Sequence, residues 1–245
     1  MLRFLLCFLA MFCWALDCCA DEFHDRLSEI EAQRPDESSR AQKIRHYRSL
    51  IADNTEHPDV AEAMYRIANL WQNGTPGTEM EPNPELEMWW LQQTKKAANP
   101  NSDLWFDVRF RIAGRLDRKH PESAKNELQA ILDHSNSSII DARAHHQLQR
   151  LAIHHDDLEE AERICRMLQD WMSDQALHPS TTYAKGQFFE PIQASAATMM
   201  NAWAKGSGPK EFRRQKIDAL RDDYIGRQYM QELHDHAIER LEQWP

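Results

Sequence analysis

The feature that most constrains this chain is its punctuation. Pro, Gly and Asn-Ser clusters cut it into segments of about 12 to 18 residues, and within each the apolar residues recur at steps of three and four. Val60, Met64, Ile67 and Trp71 form one such stripe, Trp105, Val108, Ile112 and Leu116 a second, and Leu158, Ala161, Cys165, Leu168 and Met172 a third. Ala124, Leu128, Ile131 and Leu132 supply a partner for the second. Helices this short are marginal alone in water, so every stripe must be covered by a neighbouring helix. Runs of Val, Ile and Thr alternating with polar residues are absent, which argues against a sheet.

The spacing predicts helices over 22–34, 38–53, 58–72, 84–98, 103–118, 121–134, 138–154, 157–173, 189–205 and 209–243. Pro58, Pro84, Pro121 and Pro209 mark starts, since a first helical turn accepts a residue without an N–H. Ser138 with Asp141, and Asp157 with Glu160, have the spacing of a reciprocal cap. Short connections force antiparallel neighbours, and the hairpins at 103–134 and 138–173 repeat after about 35 residues. Tyr65-Arg66-Ile67-Ala68 returns as Phe110-Arg111-Ile112-Ala113 about 45 residues on. The expected fold is all-α, antiparallel helical hairpins stacked as a short solenoid over residues 21–173, with a C-terminal helical extension, 174–245, packed on the repeats. A single irregular bundle is the alternative.

Met1-Leu2-Arg3 precedes an uncharged apolar stretch from Phe4 to Leu16, and Cys18 and Ala20 occupy the positions a signal peptidase inspects. Residues 1–20 are therefore expected to be a signal peptide and the protein to be exported, periplasmic or secreted. A membrane anchor fits less well, the apolar stretch being short of the roughly 20 residues a span needs, and lipidation at Cys18 or Cys19 fits less well because Asp17 and Cys18 depart from the small, uncharged residues it prefers. Cys7, Cys13, Cys18 and Cys19 lie in this leader, so cleavage leaves Cys165 as a small buried hydrophobe and the fold without an intrachain disulfide.

A formal charge of -10 spread along the chain disfavours nucleic acid as a partner. The basic run from Lys210 to Lys216 reads as the solvated flank of a helix. His145, His146, His154, His155, Asp156 and Asp157 are ligand types, but adjacent helical residues point about 100° apart, so no metal site is expected. His234 and His236 diverge in the same way. Neighbouring carboxylates such as Asp222-Asp223 do not oppose each other across a substrate. No nucleophile elbow, haem attachment or phosphate-binding loop occurs, and no cofactor or catalytic residue is assigned.

The chain resembles the tetratricopeptide family in the spacing of a large apolar residue, a small one, and an aromatic or apolar one three further on. Ile67, Ala68 and Trp71 match, as do Ile112, Ala113 and Leu116, while Leu148, Gln149 and Ala152 match less well because Gln149 is not small. Asp156-Asp157-Leu158-Glu159-Glu160-Ala161 resembles the opening of the family's second helix. The segment 63–98 looks more like the Sel-one-like variant, with Trp71, Gly74, Gly77, Trp90 and Lys96-Ala97-Ala98 in order but too widely spaced. The resemblance covers roughly residues 58–173 and implies a protein-binding scaffold. Family members bind peptides in a groove lined by first helices. Carried onto 138–154, the groove-facing residues are Arg143, His146 and Arg150, which would hold a carboxylate or acidic peptide by charge-assisted bonds. The expected partner is a protein or peptide. An exported α-helical enzyme acting on a cell-envelope or polysaccharide substrate is the competing class. Of the adjacent Trp89 and Trp90, one must lie off the core stripe, covering the inserted loop 73–83 or partly exposed.

Overall fold

The structure, a computed structural model, describes residues 22–32, 37–73, 81–176, 185–222 and 227–243. The expected signal peptide and most of the 73–83 insertion lie outside these residues. Every regular element among the described residues is an α-helix: α1 at 22–32, α2 Glu37–Asp53, α3 Val60–Gln72, α4 Pro84–Ala97, α5 Asp103–Leu116, α6 Pro121–His134, α7 Ser138–His154, α8 Leu158–Ala176, α9 Lys185–Lys205, α10 Lys210–Asp222 and α11 Arg227–Gln243.

The starts follow local chemistry where a cap is available. Pro84 and Pro121 occupy first turns, and Asn83 accepts a hydrogen bond from the Leu86 amide at 2.9 Å. Asp157 takes the Glu160 amide at 3.1 Å, although the Glu160 carboxylate turns to Arg163 instead of completing a reciprocal box. The Ser138–Asp141 box does not form, because Ser137 is the capping residue and its side chain makes no cap bond. The expected helix over 209–243 is two antiparallel helices: Lys210 and Arg214, early in α10, both pair with Glu242 at the end of α11. Gly226 was the available warning, but the apolar period continues across it and masked the break.

The chain forms two compact units, Met1–Ile112 and Ala113–Pro245. In the first, α2 packs on α3 and α3 on α4. Arg66 of α3 reaches back to Glu31 of α1, and Arg111 of α5 reaches α3 and α4. In the second, α6 packs on α7, α7 on α8 and α9, α8 on α9, and α9 on α10 and α11, which also pack on each other. The helices therefore pair as hairpins α7/α8 and α9/α10, and α11 lies on α9 as α9 lies on α7. This nearest-neighbour pairing is that of a short helical solenoid, in which a hairpin buries its apolar stripe only against the next.

The core of the second unit is one cluster running from Ala161, Cys165 and Leu168 of α8 through Ile192, Met199 and Trp203 of α9 to Ile217 of α10 and Leu241 of α11. Ala142, Ala196 and Ala204 are fully buried in it, and their lack of bulk lets the backbones approach. Of the striped residues expected to be core, Val60, Ile67, Trp105, Val108, Ile112, Ala124, Leu128, Ile131, Ala161, Cys165 and Leu168 are buried, whereas Met64, Trp71, Leu116, Leu132 and Leu158, toward the helix ends or stripe edges, are only partly so, and the Met172 side chain lies outside the described residues. No described helix is long and apolar enough to cross a membrane.

Candidate functional site

α7 is the element that organises the candidate site, because it is flanked by α9 on one side and by the end of α5 on the other. Its register buries Ala142, Ala144, Gln149 and Leu151, leaves Arg143 and Arg150 exposed, and holds His146 partly covered. Arg143 and Arg150 are two turns apart and share a face.

On the α9 side, His146 Nε2 lies 3.3 Å from Thr198 Oγ1. Burial, reinforced by the nearby Arg150 guanidinium, pushes the imidazole down to about 4. At neutral pH His146 therefore adds no charge, and the cationic character of the expected stripe rests on the two arginines. Gln149, fully buried where the repeat pattern wants a small residue, donates from Nε2 to the Ser195 carbonyl at 3.2 Å. A hydrogen bond between α7 and α9 thus replaces close backbone approach. Burial pushes the adjacent Cys165 thiol up to about 11, as suits a core residue and not a nucleophile.

On the α5 side, Asp117 just past the helix end fixes the last turn of α7. His154 Nδ1 lies 2.6 Å from Asp117 Oδ2, and His155 Nε2 is 2.9 Å from the Asp117 carbonyl. Between these helices, over α6, lies a cavity of about 70 Å³. Its inner lining is the buried Ala113, Ala124, Leu128 and Leu151. Gly114, Asp117, Gln147 and Arg150 form its more exposed rim.

The histidine-rich segment is dispersed as its spacing dictates. His145 packs edge-on against Trp171 at 5.4 Å, His154 and His155 turn to Asp117, and Asp157 caps α8. Among the described residues no group of three or more His, Cys, Asp or Glu is placed to hold a metal ion. Trp89 is the tryptophan that faces out, 52% exposed, while Trp90 is buried with its ring edge-on to its neighbour.

Two polar clusters escaped sequence reasoning. Glu87, only 1% exposed, receives Arg111 Nε at 2.8 Å, and the same guanidinium serves Asn69 and the Ala68 carbonyl. His234, nearly buried, lies 2.6 Å from Asp218 and 3.2 Å from Asp235. The Glu and Arg of the first cluster are far apart in sequence and sit in ordinary amphipathic patterns, so only packing reveals them. No family model matches the chain, and no curated protein or solved structure matches it either.

Proposed function

We propose that this chain is an exported helical-repeat scaffold of tetratricopeptide type, which binds a protein or peptide partner along the outer face of α7. The observation that carries the reading is the free Arg150 guanidinium, standing with Asp117 and Gln147 at the rim of a small cavity whose inner wall is Ala113, Ala124, Leu128 and Leu151. A cation beside a small apolar recess suits a main-chain or carboxylate oxygen next to a side chain. Arg143 extends the cationic face by two turns, and His146 contributes a neutral hydrogen-bonding ring. Export rests on the leader-like residues 1–20, with Arg3, the apolar stretch to Leu16 and Ala20 at the exit. The tetratricopeptide assignment rests on Ile67-Ala68 and Ile112-Ala113, both pairs buried, and on Leu148-Gln149.

The test is capture of a defined peptide library by the purified chain and by a variant carrying Arg143→Ala, His146→Ala and Arg150→Ala. The proposal expects capture by the first and a loss of at least about tenfold in the second, the equivalent of one charge-assisted bond. Equal capture by both removes the assignment. Fractionation of the producing cell tests export, which requires the protein outside the cytoplasm with residues 1–20 removed.

A further inference from the structure

Among the described residues two large apolar side chains stand exposed, Trp89 and Phe212. One exposed apolar side chain is ordinary on a protein surface. Phe212 is set apart by what shares its side of the second unit. It lies in the first turn of α10, 55% exposed, with the Lys216 ammonium 5.8 Å from its ring centre. Lys216 in turn pairs with Glu162 of α8 at 2.8 Å, and Leu158 approaches Gly206 just ahead of α10, so α8 and α10 start side by side.

α6 starts on the other flank of α8, and between their first turns an open groove of about 270 Å³ lies over α7. Its floor is apolar, made of Leu148, Leu151 and Ala152 of α7 and Ile164 of α8, with Pro121 at the α6 end. At 100° per residue, Leu148 and Ala152 lie roughly half a turn around α7 from Arg143. The groove is therefore separate from the peptide-binding face proposed above, and an inference drawn from it does not rest on that reading.

Size and charge both match the groove to Phe212 of a second copy. An apolar cavity of about 150 Å³ holds a benzene ring, so this groove admits a phenyl group entering from its open side. At its rim the carboxylates of Glu122, Asp157 and Glu160 outnumber Lys125, and Asp156 and Glu159 stand exposed beside them. Phe212 has the opposite surroundings. Lys210, Arg214 and Lys216 flank it, Glu211 is the one acid of its turn, and Lys210 and Arg214 share the single carboxylate of Glu242. A basic rim around the protruding ring thus faces an acidic rim around the recess, which sets the register of the contact.

At ordinary interhelical spacing the ring and the groove are about 15 Å apart, on one side of the same three helices. A two-fold axis beside α8 then seats both rings at once. We infer that the starts of α6, α8 and α10 form a self-association face, across which two copies of this chain pair with Phe212 of each in the groove of the other. The contact closes at two, since each copy spends its ring and its groove on the same partner.

Sedimentation velocity of the purified chain between about 1 and 100 µM is the experiment. Wild type should pass from monomer to dimer in that range, and the dimer should weaken as salt screens the two rims. Phe212→Ser changes an exposed position and should keep the wild-type melting temperature. It should weaken the dimer about hundredfold, tenfold for each of the two phenyl groups withdrawn from apolar contact. Ala152→Trp fills the groove and should weaken the dimer from the other side. Mixed together, the two variants should associate more tightly than either does alone, because one intact ring meets one intact groove. A wild-type chain still monomeric at about 100 µM, a dimer indifferent to Phe212→Ser, oligomers that grow without closing, or a mixture no tighter than its components overturns the proposal.

Discussion

Arg111→Ala is the perturbation whose cost the structure defines best. The Arg111 guanidinium lies 2.8 and 2.7 Å from Glu87 Oε1 through two of its nitrogens, reaches the Ala68 carbonyl at 3.3 Å, pairs with Asn69 and lies over the Tyr65 ring. Glu87 is 1% exposed, so the deletion strands a carboxylate with its main counter-charge gone. Removing one member of a buried pair costs about 3 to 5 kcal/mol, because the remaining charge stays desolvated. Arg111→Lys should cost less, about 1 to 2 kcal/mol: the ammonium can reach Glu87 but cannot serve Asn69 and the Ala68 carbonyl with a planar fork. The double variant Glu87→Gln with Arg111→Met removes both charges and should recover most of the loss. Urea denaturation followed by circular dichroism measures all three, read as a change in midpoint at constant slope. A cost below about 1 kcal/mol for Arg111→Ala, or a double variant as unstable as that single one, would refute the buried-pair argument.

His146 gives a pH signature. The folded chain holds its imidazole at about 4 against an ordinary 6.5, so the unfolded chain takes up the proton first as pH falls. Its contribution is therefore full above about pH 6.5 and is lost toward pH 4, by at most about 3 kcal/mol and less because the ring keeps some solvent contact. His146→Gln should lose less stability than wild type across that window, and parallel stability profiles from pH 7 to 4 would count against it. Ala68→Leu should cost about 1 to 3 kcal/mol by overpacking a fully buried site, and more than Ala113→Leu, whose side chain borders the α5–α7 cavity and can expand into it; equal melting temperatures would contradict this. In a variant that starts at residue 21, where Cys165 is the one thiol left, labelling at pH 8 should be slow in the native state and rapid in urea, since burial pushes the thiol up to about 11. Fast native labelling would place Cys165 outside the core.

The helical segments were legible because their apolar residues repeat at steps of three and four and because Pro84, Pro121 and Asn83 act locally. The break between α10 and α11 was not, since Ile217, Leu220, Ala237 and Leu241 keep a helical spacing on both sides of Gly226 and together line one core. Arg143, His146 and Arg150 came from carrying a groove face onto α7, and the structure leaves the two arginines exposed and His146 partly covered. The role of Gln149 was hidden, because a buried amide becomes tolerable only when the Ser195 carbonyl of α9 arrives to accept its hydrogen bond. The cavity at Gly114 was equally hidden. It is assembled from α5, α6 and α7, and no single segment records the space that their packing leaves.

Amide chemical-shift mapping of the isotope-labelled chain during titration with peptides captured from the library tests the central claim most directly. The account predicts that the largest shifts gather at residues 113–117 and 143–150, weaken in Arg150→Ala and vanish in the triple variant. Shifts confined to other helices, or identical in the triple variant, would show that the outer face of α7 is not where this protein meets its partner.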